Sequence, residues 1–436
     1  MNQQVDTQPI SETCTLTLEG KEYVFPVLVG TTGKKTIDIS GLRESSGGIT
    51  TFDSSFANTA SCSSAISWID GEKGELTYRG IPIETIAEKK MSFTETAWLL
   101  IFGKLPTEAE HENFGGLLAE YSALHRSMEL HFNAFPPNGH PMAIMSSMIN
   151  AMSTHDRPRI TDEESFTESA AKLLSKVRTI AAASYKASVG EPNIYPRHDL
   201  KYVENFLHMM FSLPYRKFET DPVISDALNL FFVLHADHGQ NCSTSTVRMV
   251  ASSGANLFTS CAAGVCALWG PRHGGANVNA VKGLEDIADS GLTPKQYVAR
   301  VKDNKGRIPG FGHRIYRNWD PRAKILRATC NELLDKLNRI DPLLDIAQDL
   351  EQVVLDDDYF IERRLYPNVD FYSGIVLRAL NIPLNMFTVM FSIGRMAGWI
   401  AQWKEVHDDP KGRIDRPRQL YRGPALTPWI PIEERG

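Results

Sequence analysis

Residues 222–238 constrain this chain more than any other stretch. Leu228, Leu230, Phe231, Phe232, Val233 and Leu234 leave a helix here almost no polar side, so it belongs inside a folded core. The helix runs into His235-Ala236-Asp237-His238, and Gly239 is suited to a C-cap. Polar groups that end a buried helix need partners or a cavity. The readings open at this point are a satisfied pair of core histidines, a ligand pocket, and a metal site built from His235 and His238. The last lacks a clear third ligand.

The rest of the chain supplies helices to surround such an element. At 436 residues it is long enough for a large core and two structural lobes. Ser92-x-x-Glu95 and Thr107-x-x-Glu110 predict capping boxes ahead of apolar runs. Pro136-Pro137-Asn138-Gly139 predicts a break, followed by a helix whose Met142, Met145, Met148 and Met152 read as core filler. Residues 157–164 read as a charged loop, and helices are expected at 167–188, 199–212 and 222–238. Before residue 81 the pattern differs. Alternation over 12–30, with a turn at Glu19-Gly20-Lys21, predicts paired strands, and short β-like runs stand at 49–52 and 65–69. No repeat of fixed period is present, which argues against a solenoid. The fold class expected is mainly α with a small β-rich opening.

Residues 310–322, GFGHRIYRNWDPR, combine His313 with Arg314, Arg317 and Arg322 behind a Gly-x-Gly lead-in. Glycines there let the backbone pass where a Cβ would clash, so His313 can stand beside a ligand. Asp320-Pro321 predicts an N-cap and first helical position, with Leu326, Cys330, Leu333 and Leu337 on one face. Arg322 then sits in a first turn, where its guanidinium and free N–H groups can act together on an anion. His273 lies between glycines ahead of a helix expected at 277–289. A positive helix terminus disfavours imidazolium, so His273 can stay neutral and donate to a developing oxyanion. Asp370, among aromatics at 365–372, reads as an N-cap or, in an apolar pocket, as a general base. Arg395 lies between Gly394 and Gly398 in an apolar helix at 385–404 and needs an anionic partner. Arg413, Arg416, Arg418 and Arg422 fall in a Pro-interrupted tail that is either a solvated stretch or an arm over another subunit.

A net charge of −6 argues against non-specific nucleic-acid binding. The polar start shows no signal pattern, and no apolar run reaches the ~20 residues of a membrane span. Six cysteines without C-x-x-C pairing suggest neither zinc nor a disulfide framework, and several read as buried thiols in a reducing cytoplasm.

Five segments, LHADHGQN (234–241), GPRHGGAN (270–277), GFGHRIYRNWDPRA (310–323), LYPNVDFYSG (365–374) and RPRQLY (416–421), together resemble citrate synthase of the bacterial, β-extended type. The resemblance implies a two-domain helical fold with the active site in the cleft between the domains. The division expected is a β-rich segment at 1–58, a large domain at 59–280 and 389–436, and a small domain at 281–388. It implies a homodimer as catalytic unit, with hexamers known in the subgroup, acetyl-CoA and oxaloacetate as substrates, and no metal or other cofactor. Matched by motif, Asp370 is the base, His273 the neutral donor to the thioester oxygen, and His313 the acid at the oxaloacetate carbonyl. His238, Asn241, Arg322 and Arg395 hold the dicarboxylate, with Arg416 supplied by a neighbouring subunit. Arg307 and Arg314 resemble residues that receive CoA phosphates. Two positions depart from the family. Gly239 stands where Glu is usual, implying a changed helix ending near His238. Arg272 replaces a small or apolar residue and is expected to disfavour protonation of His273 or to reach a CoA phosphate. The rival within the family is 2-methylcitrate synthase, which takes propionyl-CoA; the rivals outside it are a metal-dependent hydrolase using His235, Asp237 and His238, and a helical scaffold without activity.

Overall fold

The apolar helix is buried, and it ends sooner than its sequence suggests. In the computed structural model, which describes residues 12–156, 158–337 and 341–435, it spans Pro222–His235, with Asp221 as N-cap and Ala236 as C-cap. Helices Phe93–Phe102, Tyr202–Phe211, Pro321–Lys336 and Phe387–His407 pack around it. The expected continuation to His238 with Gly239 as cap is corrected by what meets its last carbonyls. Arg395 Nε donates to His235 O at 2.7 Å, and the Gly398 amide donates to Ala236 O at 3.1 Å. Both contacts depend on missing side chains. A Cβ on Gly394 would lie 2.9 Å from Phe232 O, and one on Gly398 would lie 2.3 Å from Ala236 O. The helix Phe387–His407 therefore lies directly against this backbone and takes over the work of a C-cap.

The surrounding elements follow their local chemistry. Both capping boxes form, on Phe93–Phe102 and Glu108–Glu120. The helix Pro141–His155 buries Met142, Met145, Met148 and Met152. The expected helix at 167–188 runs Glu163–Val189, closed by Gly190 at φ +71°; the expectation of a loop at Arg157 lies outside the described residues. Cys261 and Cys330 are buried, but Cys242 and Cys266 are exposed, because each faces outward from a helix whose opposite side is packed. Among the described residues no helix is long and apolar enough to cross a membrane.

The chain forms two compact units, residues 64–414 as one, and residues 1–63 with 415–436 as the other. In the smaller, Thr13–Leu18, Lys21–Val29 and Lys35–Ile37 form an antiparallel sheet turned at Glu19-Gly20, both at positive φ. Residues 49–52 form no strand: Ile49 and Phe52 are exposed, with no partner strand to bond among the described residues. In the larger unit Ser67–Asp70 pairs with Glu75–Tyr78. The tip of this hairpin grips the loop ahead of Pro321–Lys336. Arg317 N donates to Gly71 O at 2.8 Å, and a Cβ on Gly71 would meet Ile315 O at 2.2 Å. Gly71→Ala should therefore destabilise the fold by about 2 kcal/mol, the scale of overpacking a tight contact, as measured by urea unfolding. An unchanged midpoint would show that the hairpin does not hold the loop.

Candidate active site

The loop that carries His313 is laid down by glycine. Gly310 and Gly312 have φ of +83° and +80°, and a Cβ on Gly310 would stand 2.9 Å from the Phe371 ring. Gly312 N donates to Tyr366 O at 2.8 Å, Asn368 N to Gly310 O at 2.9 Å, and Asn368 Nδ2 to Gly312 O at 2.9 Å. Residues 310–313 are thereby bound to the segment that starts helix Val369–Ala379. Asn368, not Asp370, caps that helix, accepting from Asp370 N at 3.0 Å. With capping done by Asn368, the Asp370 carboxyl has no hydrogen-bond partner among the described residues.

Asp320 caps Pro321–Lys336 as expected, but the first turn is not open to an anion. Asp320 already fills it. Its Oδ1 accepts from Arg322 N and Nε, both at 3.0 Å, and its Oδ2 accepts from Arg322 Nη2 at 2.9 Å and Val369 N at 3.0 Å. Both side chains are buried. Burial pushes the Asp320 carboxyl up, but Arg322 outweighs it and holds it below its ordinary range. Burial likewise opposes the Arg322 charge, which Asp320 more than restores.

Around this pair the imidazoles are kept neutral. His313 falls to about 4 through burial, with Arg322 adding to it and Asp320 opposing. His273 falls to about 4 through burial and then Arg395. His238 is lowered well below its ordinary value by burial, then by Arg322 and His313. The cation that acts on His273 is thus Arg395. Arg272 next to it is exposed. Hydrogen bonds select the tautomers. His313 Nδ1 accepts from the amides of Ile315 at 3.0 Å and Tyr316 at 3.2 Å, which leaves the proton on Nε2. His273 Nε2 accepts from the Ser243 amide at 3.3 Å, which leaves the proton on Nδ1; the Ser243 hydroxyl is 2.8 Å from the same nitrogen. Each ring therefore keeps one N–H to donate.

Asp370 moves the other way, up to about 6, because burial raises it while Arg322 and Arg395 hold it back. Arg395, buried across the Phe391 ring at 4.9 Å, falls to about 10 through burial, with Asp237 as the opposing charge. The groups share one neighbourhood. The His238 and His313 rings are 5.5 Å apart, Arg322 acts on His238, His313 and Asp370, and Arg395 acts on His238, His273 and Asp370.

The remaining predicted residues are engaged elsewhere or exposed. Asn241 caps Cys242–Ser252, its Oδ1 accepting from Thr244 N at 3.0 Å and lying 2.8 Å from Ser243 Oγ. Arg307 and Arg314 are exposed in the larger unit, and Arg416 is exposed in the smaller. His235 Nδ1 donates to Phe231 O at 2.7 Å, and Asp237 accepts from Ser67 Oγ at 2.5 Å and Gly239 N at 3.2 Å. Among the described residues no three His, Cys, Asp or Glu are grouped to hold a metal ion. Sequence reasoning missed Ser243, Tyr316 and the countercharge duty of Asp320. Only the last left a signal, in the Asp-Pro-Arg order that puts cap and guanidinium two residues apart.

A raised carboxyl, neutral imidazole donors and buried guanidinium groups on a helical frame define an acid–base enzyme for a small anionic substrate. Residues 55–418 match the family described as citrate synthase, C-terminal domain. Citrate synthase 1 of Mycobacterium tuberculosis is 46% identical over 428 residues, covering 97% of this chain and 99% of that protein. The crystal structure of citrate synthase from Pyrobaculum aerophilum aligns with a TM-score of 0.81 at 34% identity, covering 97% of this chain and 100% of that one. The Thermoplasma acidophilum citrate synthase, solved as a ternary complex with carboxymethyl coenzyme A and oxaloacetate, aligns at 0.80 with 28% identity, covering 87% and 98%. The chain belongs to the citrate synthase family.

The Asp370 shift carries a stability consequence. In the fold its pKa stands at about 6 against an ordinary 3.8, so the folded state resists its ionisation. Stability from this group is full below about 4 and is lost as pH rises through about 6. Asp370→Asn, which stays uncharged, should therefore be more stable than the wild type above pH 6 and equal to it below pH 4, by urea unfolding across that range. A constant difference across pH would refute the raised pKa.

Proposed function

We propose that this chain condenses acetyl-CoA with oxaloacetate and hydrolyses the citryl-CoA formed to citrate and CoA. The observation that carries the reading is Asp370, poised at about 6 without a hydrogen-bond partner among the described residues, near imidazoles whose tautomers are fixed as donors. A thioester methyl is a poor carbon acid, so the base needs a preorganised oxyanion stabiliser beside it. Asp370 takes a methyl proton while His273 Nδ1–H donates to the thioester oxygen. The enolic carbon attacks the keto carbon of oxaloacetate, and His313 Nε2–H protonates the keto oxygen as it becomes the hydroxyl. Water then cleaves citryl-CoA, releasing the thiol.

Arg395 and His238 hold the carboxylates of oxaloacetate, and Arg322 adds only the Nη1 side of its guanidinium, since its Nε and Nη2 already serve Asp320. Asn241 joins them through its amide nitrogen, whose contacts within the chain are long at 3.3 and 3.4 Å. Arg416 completes the site of a neighbouring subunit, making a homodimer the catalytic unit, with hexamers as its higher assembly. Arg307 and Arg314 receive CoA phosphates. Residues 281–388 form the small domain, which closes over oxaloacetate before the thioester enters and so suppresses wasteful hydrolysis. No cofactor is required, and the cytoplasm is its compartment.

Thiol release from acetyl-CoA should depend on oxaloacetate, and kcat should rise with pH through about 6 as Asp370 ionises. Asp370→Asn should lower kcat by about 10²–10⁴-fold, the usual worth of a positioned base. Retained turnover in that variant would refute the base assignment. Acetyl-CoA should be preferred to propionyl-CoA in kcat/KM by about tenfold or more, the worth of one methylene in a closed pocket; the reverse order would make the chain a methylcitrate synthase.

A further inference from the structure

Tyr316 packs beside both histidines assigned to oxaloacetate and meets them in different ways. It is buried at 2% exposure. Its ring centroid is 4.8 Å from that of His313 and 5.6 Å from that of His238. Through its backbone amide it donates to His313 Nδ1 at 3.2 Å. Through its hydroxyl it stands 3.1 Å from His238 Nε2.

The direction of that second bond follows from what else the hydroxyl can reach. A buried phenol keeps its proton, and burial pushes the Tyr316 hydroxyl further up, so the O–H needs an acceptor. Among the described residues the only hydrogen-bond partner of Tyr316 Oη is His238 Nε2. If the imidazole donated instead, the phenolic proton would be stranded in the core, at the penalty of an unmade buried hydrogen bond. A charged imidazole would also donate, but Arg322, His313, Arg395 and His235 all act against a positive charge on this ring.

We propose that Tyr316 is the positioning residue that sets the tautomer of His238: its hydroxyl donates to Nε2, so Nδ1–H is the donor His238 offers to oxaloacetate. This rests on the functional reading above and adds a residue to it. One side chain then organises both histidines, since its backbone amide fixes the proton of His313 on Nε2 while its hydroxyl fixes that of His238 on Nδ1. Oxaloacetate meets two neutral donors of defined direction. No reorientation of protons is needed when it binds, which is the economy of a preorganised site.

Tyr316→Phe removes the O–H and leaves the amide to His313 in place. KM for oxaloacetate should rise about tenfold, the scale of one lost buried hydrogen bond. KM for acetyl-CoA, kcat and the unfolding midpoint should stay within about twofold or a few degrees, whereas a merely structural role would move them together. Histidine-selective ¹⁵N NMR of the wild type, with the His238 signal assigned by its loss in His238→Gln, should show Nε2 unprotonated and Nδ1 protonated. An unchanged oxaloacetate KM in folded Tyr316→Phe would overturn the proposal, as would a protonated Nε2 in the wild type. The wild-type spectrum decides the matter even if the variant does not fold. Absence of oxaloacetate-dependent thiol release by the wild type would instead remove the functional reading, leaving the tautomer to be judged by NMR alone.

Discussion

The buried pair of Asp320 and Arg322 is the interaction on which this centre depends. Two opposite charges withdrawn from water are tolerated only when geometry is good and the remaining lone pairs are filled. Here they are. The four N–H groups that Asp320 accepts come from the backbone and side chain of Arg322 and from the amide of Val369. One carboxylate thus ends the loop after His313, starts the helix Pro321–Lys336, and holds the residue next to Asp370. Loss of either partner would leave a buried charge uncompensated and loosen three elements together.

From that pair outward, charge in the pocket is a balance between burial and guanidinium. Burial alone would neutralise every titratable group near it. For the histidines, Arg322 and Arg395 push in the same direction as burial, so His238, His273 and His313 remain uncharged donors at neutral pH. For Asp370 the same cations oppose burial, which stops its rise at about 6 instead of letting it remain protonated at working pH. A single arrangement of positive charge therefore produces both neutral acids and a usable base, which is the pairing that enolisation of a thioester demands.

Much of the architecture was legible because it is local. The capping boxes at Ser92 and Thr107, the methionine face of Pro141–His155 and the Asp320-Pro321 helix start each rest on contacts within a few residues. Errors occurred where a distant segment intervened. The helix ending at His235 stops because Arg395 and Gly398, some 160 residues away, meet its carbonyls. Asp370 read as either a cap or a base, and the choice was decided by Asn368, which holds the cap position once Gly310 and Gly312 have drawn it into place. Cys242 and Cys266 lie on helices with apolar neighbours, and only packing shows that they face outward.

By itself the sequence determined the inventory: a mostly helical chain, the residues able to carry acid–base chemistry, and a family whose motifs it repeats in order. Local propensity, capping and motif spacing are properties of neighbouring residues, so a linear reading reaches them. Tertiary structure alone decided which nitrogen of His238 and of His273 keeps its proton and which cations act on Asp370. Those choices are made by hydrogen bonds between residues 30 and 78 positions apart, Ser243 to His273 and Tyr316 to His238. A proton settles according to the partner that folding brings within 3.3 Å, and no order of letters along the chain encodes that distance.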